Sequence, residues 1–121
     1  MKELEPNINP GLYQNVKINP EVIVYEVTTN KNRLPFGIAI VDVQQSRPHF
    51  HRLTLETYTV VQGDLDVSVN GQHHVLHPGD VIKIMPGVVH SARSLTSSPA
   101  RITVTTIPEF SVDDYYEVSQ V

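Results

Sequence analysis

Apolar and polar residues alternate in short bursts along this chain, and no stretch between the bursts keeps a helical period. The plainest burst is Leu65-Asp66-Val67-Ser68-Val69, where apolar side chains at every second position define one face of a strand. Asn70-Gly71 follows it, a pair that suits a type I′ hairpin turn because both central positions need positive φ. A two-residue loop there fixes the register of the returning strand: Val69 opposite Gln72, Ser68 opposite His73, Val67 opposite His74 and Leu65 opposite Leu76. Glu56 to Gln62 reads as the preceding strand, with Glu56, Tyr58, Val60 and Gln62 sharing a face if the pleat is unbroken. Upstream, Glu21 to Thr29 is β-branched and aromatic enough for a strand and ends in polar Asn30-Lys31-Asn32-Arg33. Gly37 to Gln44 is almost continuously apolar, as in a strand buried on both faces or at a subunit contact. Downstream, His77-Pro78-Gly79-Asp80 and Pro86-Gly87 are turns that punctuate strands at Val81 to Met85, from His90 to Ser94 and from Arg101 to Ile107. Short strands about ten residues apart predict an all-β antiparallel double-sheet barrel or sandwich.

The two ends differ from this pattern. Residues 1–20 carry Pro6, Pro10 and Pro20 with Asn9 and Gly11, which predicts an irregular arm rather than a long helix. Residues 21–107 form the barrel, and 108–121 a tail in which Ser111 stands three before Asp114. That is a helix-start pattern in a segment too short to hold without packing. At 121 residues the chain accommodates one core. With no cysteine, any metal must be held by imidazole, carboxylate or water. Nine basic against thirteen acidic side chains give a net charge of -4 with no basic run, so no nucleic-acid footprint is visible. The first residues contain no apolar signal core, and no run approaches the eighteen apolar residues of a membrane helix, so the chain reads as soluble and cytoplasmic.

The chemistry concentrates at Pro48-His49-Phe50-His51-Arg52-Leu53-Thr54-Leu55-Glu56. Residues two apart in a strand face the same way, roughly 6.6 Å apart, so His49 and His51 can aim both imidazoles at one point. The residues before Glu56 leave room for a turn that returns its carboxylate towards the rings, while His90 must arrive from elsewhere in the fold. Pro48 removes a backbone donor, which argues for a sheet edge or a bulge beside the site. Arg47 shares the parity of His49 and His51. An unbroken pleat sends its guanidinium into the pocket to clamp a substrate carboxylate or phosphate, and a bulge at Pro48 sends it outward. Tyr58 either offers a phenolic proton to the same cavity or packs its ring in the core. His73 and His74 fall on opposite faces of the hairpin, which with His77 makes them surface histidines rather than a second metal cluster.

These spacings resemble the two motifs of the cupin superfamily. The first is glycine, five residues, His-x-His, three or four residues, glutamate, six residues, glycine. His49, His51, Glu56 and Gly63 fall on it, with Val43 in place of the opening glycine. Gly79, Gly87 and His90 fall on the second, with Met85 replacing its proline and Ser94 its asparagine. The resemblance spans roughly residues 37 to 107. It implies a jelly-roll barrel in which His49, His51, Glu56 and His90 hold one divalent transition metal ion, such as iron, manganese, zinc or nickel. An octahedral ion so held keeps positions open for water, substrate or dioxygen. The expectation is a metal-dependent enzyme acting on a small polar organic molecule, with oxygenase-type chemistry ahead of isomerase or lyase chemistry and Tyr58 and Arg47 as catalytic candidates. The alternative is a small-molecule binding or sensing module without turnover. Cupin-like barrels pair through an outer sheet, so the apolar segment from Gly37 to Val43 implies a homodimer.

Overall fold

The structure, a computed structural model, describes residues 16–18, 21–26 and 36–118. It contains the strands β1 (Val16–Ile18), β2 (Glu21–Glu26), β3 (Gly37–Val43), β4 (His49–Phe50), β5 (Leu55–Gln62), β6 (Leu65–Val69), β7 (Gln72–Leu76), β8 (Val81–Ile84), β9 (His90–Ser94), β10 (Ala100–Ile107) and β11 (Tyr116–Glu117), with one 3-10 turn at Val112–Asp114. Two antiparallel sheets result, ordered β1-β2-β3-β10-β5-β8 and β11-β4-β9-β6-β7. Their inner faces share one core and make a jelly-roll barrel: Val41, Val60, Ile84 and Ile102 from the six-stranded sheet meet Leu65, Val67 and Ala92 from the other. The expected jelly roll is therefore what forms, and no described helix is long and apolar enough to cross a membrane. Of the expected proline-rich arm, only Val16–Ile18 lies among the described residues, and it is a short strand on β2 rather than irregular chain.

The alternation read from the sequence maps onto burial most clearly in β5, β6 and β10. Along β10, Ala100, Ile102, Val104 and Thr106 are buried while their neighbours are half-exposed. The β6–β7 hairpin has the register set by its turn, with Val69 opposite Gln72 and Leu65 opposite Leu76. Asn70 and Gly71 both take positive φ, 51° and 85°, as a type I′ turn requires. In β5 the face of Glu56, Tyr58 and Val60 is buried, but Gln62 is exposed. A register shift explains the difference: Arg101 pairs with Gln62 and Ile102 with Val60, which leaves Val61 as an extra residue and turns the end of the strand over.

The segment before the His-x-His pair is where regular structure breaks. Gln45 makes a single bridge to Arg93, and pairing resumes only at the two-residue strand β4, wedged between β11 and β9. Ser46 fills the gap with its side chain: its N–H donates to Ala92 O at 2.8 Å, and its hydroxyl accepts from Ala92 N at 2.9 Å. This is the irregularity that Pro48 anticipates.

Candidate metal centre

Cross-strand pairing of His49 on β4 with His90 on β9 sets their ring centroids 4.3 Å apart on the inner side of the five-stranded sheet. His51 follows two residues later, with its ring centroid 5.4 Å from that of His49. Its carbonyl accepts the N–H of Gly87 at 2.6 Å, which ties the His51 loop to the turn that delivers His90. Gly87 has φ of 81°, and a side chain there would be strained in the bend that brings this N–H to His51. Glu56 comes from β5 in the opposite sheet, so the two sheets close on the site from both sides. One ligand atom from each of His49, His51, Glu56 and His90 lies within 4.8 Å of all the others, and all four residues are at most 6% exposed.

The imidazoles are oriented alike. His49 Nδ1 lies 2.8 Å from Arg47 O, His51 Nδ1 2.8 Å from Asp114 O, and His90 Nδ1 3.0 Å from Val88 O. A carbonyl oxygen can only accept, so each Nδ1 carries a proton, and a ring without a second proton presents an Nε2 lone pair. The Nε2 atoms of His51 and His90 are buried with no hydrogen-bond partner. They face Glu56 Oε1 at 3.3 and 3.0 Å. A hydrogen bond across either gap requires a second proton on the ring, because lone pair otherwise faces carboxylate.

The charges follow this geometry. Burial and the neighbouring His90 lower the pKa of His49 to about 4, which keeps it neutral at physiological pH. Burial works against a charged His51, but the Glu56 carboxylate outweighs it and raises the ring's pKa. Burial likewise opposes an ionised Glu56, yet His51 and His90 hold it well below the usual carboxylate range. An ionised carboxylate facing two buried imidazole Nε2 atoms calls for a cation among them, either a second ring proton or a metal ion. Around an octahedral ion with bonds of about 2.1 Å, adjacent ligand atoms stand about 3.0 Å apart. The two Glu56 contacts fall on or near that spacing, so the residues present fit a divalent metal.

Tyr58 is buried, with its hydroxyl 3.5 Å from Glu56 Oε1 and its ring 6.2 Å from that of His90. Arg47 takes the outward of the two orientations left open by the sequence. Its side chain is 59% exposed and binds Glu117 through two bonds of 2.9 Å, so the guanidinium is engaged on β11 rather than directed at the imidazoles. His73 lies on the outer face against Asp66 at 3.1 Å, His77 against Asp64 at 2.8 Å, and His74 is exposed. Among the described residues these three form no metal cluster.

Sequence reasoning missed the tail. Phe110 and Tyr115 both place rings 6.0 Å from His51, Tyr115 lies 5.1 Å from His49, and Asp114 supplies the carbonyl that orients His51. The Ser111-to-Asp114 spacing was the available signal. Ser111 does cap the 3-10 turn, accepting from Asp113 N at 3.2 Å, but no local pattern says what the turn packs against.

A family model for the cupin domain matches residues 38–106. Among solved structures, the chain is similar to a variant of Streptomyces PAC13 with uridine: 17% identity, TM-score 0.70, 90% of this chain and 87% of that one. Another structure of Pac13 is described as that of a nucleoside dehydratase. KdgF from Halomonas sp. is 23% identical with a TM-score of 0.64, over 84% of this chain and 88% of that one. The cupin domain of Schizosaccharomyces pombe Cnp3 is 16% identical with a TM-score of 0.58, over 61% of this chain and only 56% of its own length. At these identities the likeness concerns the fold. No curated protein sequence matches the chain.

Proposed function

The chain belongs to the cupin family, and from that premise we propose that it is a metal-dependent enzyme acting on a small polar organic molecule that enters the barrel. One observation carries the reading: the buried, unpartnered Nε2 atoms of His51 and His90 face an ionised Glu56. His49, His51 and His90 would hold the ion through Nε2, and Glu56 would offset part of its charge. Iron, manganese, zinc and nickel all suit this donor set. When bound, such an ion supplies a Lewis acid that polarises a substrate oxygen. Tyr58 then has a role of its own. Its hydroxyl is positioned to hold a proton beside Glu56, and proton transfer in a water-poor interior suits a dehydration or an isomerisation. The description of Pac13 as a nucleoside dehydratase supports placing this chemistry first. Oxygenation is the alternative that the ligand set alone supports.

The raised pKa of His51 favours one further reading, in which a proton rather than a metal lies between His51 and Glu56 and the pair works as a general acid and base. Metal analysis of protein purified without added metal separates the two. The metal reading expects about one equivalent of transition metal per chain, and none after replacing both His51 and His90 with alanine. Wild-type occupancy in the double variant, or a metal-free wild type with full turnover, contradicts it.

A further inference from the structure

The C-terminal segment is built into the site although it lies some sixty residues away in sequence. β11 pairs with β4, setting Glu117 opposite His49 and Tyr116 opposite Phe50, and Val118 N donates to Pro48 O at 3.0 Å. Tyr116 stacks on Phe50 at 5.3 Å, and the Arg52 guanidinium lies over the Tyr116 ring, 4.5 Å from its centroid. At the centre is Asp114, 8% exposed. Its Oδ1 accepts Arg52 N at 2.8 Å, and its Oδ2 accepts Leu53 N and the Thr54 hydroxyl, both at 3.0 Å. The same residue's carbonyl takes the Nδ1 proton of His51 at 2.8 Å.

We infer that Asp114 is a positioning residue of the metal centre: its carboxylate clamps the turn at residues 52–54, and that clamp places its own carbonyl where it fixes the tautomer and angle of His51. The argument is one of bond count. Bonds from a buried carboxylate to two backbone amides and a hydroxyl are the stronger kind of hydrogen bond. They hold the turn that links His51 to Glu56, so the tail determines the relation between two of the four ligand residues. A partner that orients a ligating imidazole through its other nitrogen typically changes metal affinity by about 10- to 100-fold. The inference rests on the metal reading above, and its test keeps the two apart.

The probe is Co2+, titrated into metal-free protein and read both as a dissociation constant and as visible absorption, which reports ligand geometry. D114A loses the clamp but keeps a carbonyl at that position. With its fold verified by circular dichroism, it is expected to bind Co2+ about tenfold or more weakly than wild type, with a shifted absorption band. D114N retains one acceptor oxygen but sets an amide NH2 against a backbone N–H, so it should recover only part of the loss. A purely structural role lowers the melting temperature without moving the band of the folded protein. A folded D114A with wild-type affinity and spectrum overturns the inference. If D114A does not fold, T54V removes one bond to the same carboxylate, and unchanged affinity and spectrum in T54V overturn it equally. A wild type that takes up no Co2+ overturns the metal reading, and this inference with it.

Discussion

The five-stranded sheet carries histidines on both of its faces, and the two sets live in different chemistry. On the outer face His73 is 67% exposed and sets Nδ1 against the Asp66 carboxylate, with Arg93 3.5 Å away on the same carboxylate. Just beyond the strand, His77 does the same with Asp64, whose hydrogen bond raises its pKa. Each outer ring thus has a counter-charge and water around it, and binding an ion would mean giving up a partner already present. On the inner face, and in the loop after β4, His49, His90 and His51 set Nδ1 against neutral carbonyls, and the Nε2 atoms of His51 and His90 face a single carboxylate. What makes a ligand here is therefore which ring nitrogen is already engaged, and by what, rather than the presence of histidine.

The largest break in this comparison comes from removing ligands. H51A combined with H90A should reduce Co2+ or Zn2+ affinity by more than about 100-fold, whereas H73A combined with H77A should leave it unchanged in the same competition titration. Equal losses from both sets would erase the distinction between the faces.

The next effect is on pH dependence. His49 has its folded pKa lowered to about 4, from an ordinary 6.5. The unfolded chain therefore binds the extra proton first as pH falls, and His49 withdraws stability progressively from pH 6.5 down to about 4. Its share is on the order of 3 kcal/mol. His51 acts in the opposite sense: its raised pKa adds stability below its unfolded value, which is lost as pH rises through the folded one. Comparing thermal melts of metal-free wild type and H49N between pH 7 and pH 4 isolates the His49 part. The wild type should lose more stability on acidification than H49N, and parallel curves would contradict the assignment.

Two smaller effects sharpen the boundary between the faces. Gly71, at φ of 85°, closes the hairpin that keeps His73 outside, and G71A should cost about 1 kcal/mol in denaturant unfolding while leaving metal uptake intact. The smallest effect should come from R47A. The Arg47–Glu117 pair is exposed on both sides, 59% and 40%. The hydrogen bond from Arg47 lowers the pKa of Glu117 to about 2. Its contribution is present at neutral pH and fades as pH falls from 4.5 towards 2, but solvent screening keeps it slight. R47A should bind metal like the wild type, and a large loss of metal would return Arg47 to the site.

Local chemistry made much of this legible. Asn70-Gly71 specified the hairpin, and with it the faces of His73 and Val67, because turn type fixes register. The spacing of His49, His51, Glu56 and His90 anticipated four side chains that do converge. The Pro48 signal foresaw broken pairing without showing that β4 would shrink to two residues. Three features depend on contacts with no local period: the bulge at Val61 that turns Gln62 outward, the capture of Arg47 by Glu117, and the docking of Asp114 under the 52–54 turn. The last two join residues sixty or more positions apart, where strand alternation carries no information. A tail too short to hold on its own is held by what it covers.

The most direct test of the central claim is a crystal structure with anomalous diffraction recorded at the absorption edge of the metal found in the purified protein. The account predicts one peak about 2.0 to 2.2 Å from Nε2 of His49, His51 and His90 and from a Glu56 oxygen. A peak bound elsewhere, or none at that point while Glu56 sits in hydrogen bonds with protonated His51 and His90, contradicts it.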